Sequence, residues 1–140
     1  MKEVTEEWLK AAADDLRVID RIASDEHLTH MVAFHSQQCI EKSLKAVIEE
    51  YEIGSVRIHN LERLFEIVGE QLKLDVDPVL VAMLDKLCID ARYPGDLGLL
   101  PSARPTLDHA ARFHAFAKSV HERIKALLSP SQCPKSTGSG

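Results

Sequence analysis

The sequence predicts an all-α fold, an antiparallel bundle of about five helices, and three observations predict it. Apolar residues recur at helical spacing in five separate segments. Strand signals are nearly absent, with no sustained alternation and few aromatic or β-branched runs. Between the segments stand residues that start or stop helices, among them Gly54, Asn60, Asp77-Pro78, Tyr93-Pro94-Gly95 and Thr106.

The first helix carries Leu9, Ala12, Leu16, Ile19 and Ala23 on one face. The second follows Ser24 as N-cap, aligns Ala33, Ile40, Leu44, Val47 and Tyr51, and ends before Gly54. A third begins near Asn60 and repeats Leu61, Leu64, Phe65, Val68 and Leu72. Asp77 caps the fourth and Pro78 occupies its first position; Leu80, Leu84, Leu87 and Ala91 form its stripe. After a Gly/Pro-rich loop, Thr106 caps the fifth, with Phe113, Ala117, Val120, Ile124 and Leu127 inward.

A chain of 140 residues has the size of one domain with a single core, and 45% hydrophobic content excludes compositional disorder. The bundle is expected over residues 1–128. Residues 129–140, "SPSQCPKSTGSG", have nothing to bury and are read as a disordered C-terminal tail. A net charge of −5 argues against a generally basic nucleic-acid binder but leaves room for a local positive groove. No stretch is apolar enough to span a membrane, and "MKEVTEEWLK" lacks the apolar core of a signal peptide. Cys39, Cys88 and Cys133 are few and unpatterned, which fits a reducing cytoplasm.

Three polar clusters interrupt this scaffold. On the second helix His35, Gln38, Lys42, Lys45 and Glu49 share a narrow stripe, with Glu41 at its margin. Spacing admits a solvated face steadied by pairs such as Glu41–Lys45, or a groove of Gln and Lys donors for anions. Next, His59 precedes the Asn60 cap. It is either a loop residue over the first turn or a donor to a ligand phosphate, helped by free backbone N–H groups. Finally, the fourth helix stops on Arg92, because Tyr93-Pro94 forbids continuation. The fifth helix adds a basic stripe of His114, Lys118, His121 and Lys125, read as a solvated face that pairs with acids elsewhere.

Taken in order, Trp8, Asp15-Leu16, "QQCIEKSLKA", "HNLERL" and "ARYPG" resemble the HEPN family of small helical domains. The resemblance covers all but the tail. It implies a five-helix bundle like the substrate-binding subunits of nucleotidyltransferases, commonly a homodimer. It further implies a cleft formed by Gln38, Glu41, Lys42, Lys45, His59, Arg92 and Tyr93 that binds a nucleotide or RNA. A minimal nucleotidyltransferase partner in a toxin–antitoxin pair is implied too, with no metal and no cofactor. On this analogy Arg92 closes its helix at the cleft mouth and clamps phosphate.

Catalytic members resembling this chain cleave RNA without metal, using an arginine followed after four to six residues by a histidine. From Arg92 the eligible positions are Leu97, Gly98 and Leu99, none of them histidine. The pattern is met instead by Arg104–His109 and by Arg21–His27, while about one match is expected by chance. An alternative catalytic set is therefore Arg92 or Arg104 with His109. No glycine-rich phosphate loop, nucleophile elbow or paired-cysteine motif is present, and His27, His30 and His35 read as surface residues.

Overall fold

The computed structural model describes residues 1–92 and 104–129, and for 88–92 the backbone alone. Five helices follow one another: α1 (Glu3–Ile22), α2 (Thr29–Tyr51), α3 (Leu61–Val68), α4 (Pro78–Arg92) and α5 (Leu107–Leu128). No strand occurs among the described residues.

The α2 helix is the hub. Ala33, Ile40, Leu44, Val47 and Ile48 are all buried in one cluster with residues of the other four helices. A helix so enclosed has to satisfy its polar side chains largely from within the protein, although the buried Ser36 hydroxyl has no partner among the described residues. That requirement shapes the site described below. Antiparallel to it, α1 runs from Thr5, whose hydroxyl donates to Glu50 at 2.9 Å, to Ile19, which clusters with Val32. Against a third side lies α5, running parallel to α2, with Ala110 beside Val32 and the Cys39 thiol directed at the Ala117 carbonyl. The α3 and α4 helices cover the rest, and Phe65 of α3 stacks on Phe116 of α5 with ring centroids 6.0 Å apart.

Helix boundaries mostly follow the expected caps. Asn60 accepts from the Arg63 N–H at 2.9 Å, Asp77 from Val79 at 2.9 Å, and the Thr106 hydroxyl from His109 at 3.0 Å. Ser24 does not cap α2. Asp25 captures the His27 N–H at 2.8 Å in a local turn, which delays the helix to Thr29. The second helix ends on Glu52 in the left-handed conformation rather than on a glycine. Tyr51, placed in the apolar stripe, is exposed, whereas Leu72 keeps its core position although α3 stops at Val68. His121 also departs from expectation: it is buried against α1, so the basic stripe of α5 is broken at its middle. His114 pairs with Asp20 at 3.5 Å.

Tyr93, the Gly/Pro-rich loop through residue 103 and the proposed tail from residue 130 lie outside the described residues.

Candidate functional site

Gln37, Glu41 and Lys45 occupy one row of α2 at successive i,i+4 positions and are all buried. The Glu41 carboxylate is their centre. It accepts from Gln37 Nε2 at 2.9 Å, from Lys45 Nζ at 2.7 Å, and lies 2.8 Å from Nδ1 of His59. Burial pushes the Glu41 carboxyl up, but hydrogen bonds from Lys45, His59 and Gln37 outweigh it and hold the group below its ordinary value. Trp8 of α1 closes the cluster, with the Lys45 ammonium 5.5 Å from its ring centroid.

A second cluster lies along the same helix. Asp15 of α1 is buried between His35 Nδ1 at 2.8 Å and Lys42 Nζ at 2.9 Å. Both clusters thus have one plan: a buried carboxylate held between a lysine and the Nδ1 of a histidine. Gln38 joins the rows by donating to Gln37 Oε1 at 2.8 Å, while Gln37 also reaches the His59 carbonyl at 3.4 Å. His35 is therefore no surface residue but a partner of a buried aspartate.

His59 is placed by the start of α3, and that helix end has little left for an anion. The Asp85 carboxylate of α4 accepts from Leu61 N–H at 2.9 Å and from Glu62 N–H at 3.3 Å; Asn60 serves Arg63 through its side chain and Leu64 through its carbonyl. All four leading N–H groups are occupied. The free N–H groups expected beside His59 are absent for that reason. Arg92 ends α4 seven residues after Asp85, so its backbone follows the same helix face two turns on.

Burial separates the remaining cleft candidates. The solvated-face reading of α2 fails at Lys45, which is 3% exposed and committed to Glu41, whereas Lys42 and Gln38 retain accessible surface. Sequence reasoning missed Gln37 and gave Asp15 no role in the site. Gln37–Glu41 spacing was the available signal for the first; nothing local marks the second. Arg104 and His109 sit at the other end of the problem. Arg104 donates to the His27 carbonyl at 3.3 Å, and His109 contacts the Thr106 hydroxyl at 3.2 Å while stacking on Phe113. Their neighbour Ala110 is level with Val32, nine residues or about 14 Å of helix before Glu41. The structure does not bring this pair to the Glu41–His59 cluster.

Two hollows of about 280 Å³ and about 260 Å³ lie elsewhere, the first lined by Val32, Ala110 and His114, the second by Phe65, Val76 and Val81. Neither gathers converging polar groups as the α2 clusters do, so the chemistry, not the concavity, locates the candidate site.

The α2 clusters, His59 before the Asn60 cap and the arginine closing α4 occur within a stretch, residues 5–127, that matches one family, described as HEPN domain. The chain belongs to the HEPN domain family. No match was found among curated proteins or among solved structures. As a HEPN domain it has an all-helical bundle, and no helix among its described residues is long and apolar enough to cross a membrane.

Proposed function

We propose that this HEPN domain is a nucleotide- or RNA-phosphate-binding module, contacting its ligand through Gln38, Lys42, His59, Arg92 and Tyr93. Glu41 and Lys45 act behind them, as the buried support of His59. The observation that carries this reading is the repeated carboxylate–lysine–histidine cluster on α2. Ionised groups removed from water cost several kcal/mol each by rough reckoning. A bundle that needed only a core would be better served by apolar residues at Asp15, Glu41 and Lys45. A homodimer working with a minimal nucleotidyltransferase, as a toxin–antitoxin-like pair, completes the proposal.

The test is nucleotide binding by the wild type beside Arg92→Ala and Lys42→Ala, with folding followed by circular dichroism. Affinity is expected to fall about tenfold or more on loss of a charged contact. Equal affinity in folded variants refutes this cleft. Co-purification of a nucleotidyltransferase from the native cell addresses the partner separately. RNA cleavage in excess chelator, lost in His109→Ala, would instead establish an endoribonuclease. Silence in both experiments, with a dimer persisting, would leave an interaction protein.

A further inference from the structure

We propose that His59 meets the ligand as a hydrogen-bond acceptor, its Nε2 taking a ribose hydroxyl or a base N–H of a nucleotide rather than the phosphate. The inference rests on the nucleotide-binding reading above and specifies which part of the nucleotide His59 contacts.

Three atoms form a closed triangle: Glu41 Oε2 to His59 Nδ1 is 2.8 Å, Lys45 Nζ to Glu41 Oε2 is 2.7 Å, and Lys45 Nζ to His59 Nδ1 is 3.1 Å. The proton on the imidazole has to be assigned from these contacts. A bare Nδ1 could accept from Lys45 Nζ at 3.1 Å, but its lone pair would then face a carboxylate oxygen at the shorter distance of 2.8 Å, and the two would repel. If Nδ1 carries the proton, it donates to that oxygen, and the shorter contact becomes a charge-assisted hydrogen bond. Nδ1–H is therefore committed to Glu41, and in the neutral ring Nε2 is an acceptor. No described residue takes Nε2, and the His59 side chain is 55% exposed while Glu41 and Lys45 beneath it are enclosed.

Glu41 supplies one negative charge and Lys45 one positive, so a neutral imidazole closes the triangle at net zero. The other groups facing this corner do not alter the count. Trp8 of α1 lies over Lys45, Gln37 holds the His59 carbonyl, and the Asp85 carboxylate of α4 is taken up by Leu61 and Glu62. Phosphate, which needs a donor, is left to Lys42 and Arg92.

The probe is the dinucleoside monophosphate ApA beside its deoxy counterpart d(ApA), whose single phosphodiester charge does not titrate near neutrality. Binding is measured by calorimetry from about pH 8 to about pH 5.5, across the range where histidine takes up a proton. Wild-type affinity is expected to fall as the pH falls, because protonation removes the lone pair. His59→Phe is expected to lose about tenfold in affinity at the upper pH, and His59→Gln, which keeps an acceptor, to recover part of it. Tighter binding of ApA than of d(ApA) identifies the ribose hydroxyl; equal binding, still dependent on residue 59, identifies the base. Affinity that rises as the pH falls in the wild type but not in His59→Phe, or that ignores His59→Phe, overturns this inference alone. Absence of ApA binding by folded wild type overturns the nucleotide-binding reading and this inference with it.

Discussion

Lys45 has the sequence signature of a surface residue: a lysine four positions after a glutamate on a long helix. Its burial comes from Trp8, a residue of α1 separated from it by more than thirty positions, whose ring covers the ammonium. Helical spacing identifies the Glu41–Lys45 pair but carries no information about that cover. The pair's energetics follow from its burial. Lys45→Met leaves the Glu41 carboxylate enclosed with only Gln37 and His59, and is expected to cost about 3–5 kcal/mol in denaturant unfolding. Adding Glu41→Leu should restore that loss in full, so that the double variant is at least as stable as the wild type. Cys39, another buried α2 residue, is inert for a related reason: burial first, then the Asp15 charge, pushes its thiol up to about 12. His121 supplies the acid sensitivity. Burial, foremost, holds its pKa below 6.5, and its Nε2 is enclosed without a partner among the described residues. The unfolded chain protonates His121 more readily than the folded one, so this stability is fully present above 6.5 and is lost as the pH falls below it. His30, also lowered by burial and by Arg104, adds in the same direction. Urea midpoints measured downward from pH 7.5 should decline through this window, and less steeply in His121→Gln.

At the scale of elements, the caps were the most legible features, because they are written in adjacent residues. Asn60, Asp77 and Thr106 each take up an N–H within three positions of themselves. What local reading omitted was Asp85, twenty-four residues along the chain from Leu61, whose carboxylate completes the α3 cap from α4. An eight-residue helix is too short to persist by itself. Its start is therefore fixed from two sides, by Asn60 in sequence and Asp85 in space. Asp85→Ala is expected to cost about 1–2 kcal/mol through the loss of this cap. It should also loosen His59, which immediately precedes the capped turn. Hydrogen exchange at Leu61 and Glu62 distinguishes this from a general loss of stability: those amides should lose protection far more than amides in the centre of α2. Ser24 shows the opposite error. A good capping residue was present, but Asp25 offered the backbone a competing turn, and α2 began four residues later than the cap implied.

For the whole molecule, the bundle class was legible because five periodic segments each have an apolar face that only another helix can cover. The packing order was not, since periodicity identifies a buried face without naming its partner. The consequence is that α2 became the hub, and its ionic clusters had to be enclosed by α1 and the start of α3. That arrangement links stability to binding. If the clusters exist to present Lys42 and His59, the Glu41→Leu/Lys45→Met variant should keep or exceed the wild-type melting temperature yet lose ligand response. A ligand at a hundred times its Kd stabilises the folded state by about 2.7 kcal/mol, which for a domain of this size raises Tm by roughly 9 °C. Thermal melts with and without ApA therefore separate two accounts of the same residues. An upward shift in the wild type that vanishes in an equally stable double variant shows that the buried ions serve the ligand. A shift of equal size in both variants shows that they serve only the architecture of the bundle, and that Lys42 and Arg92 bind without the triangle behind them.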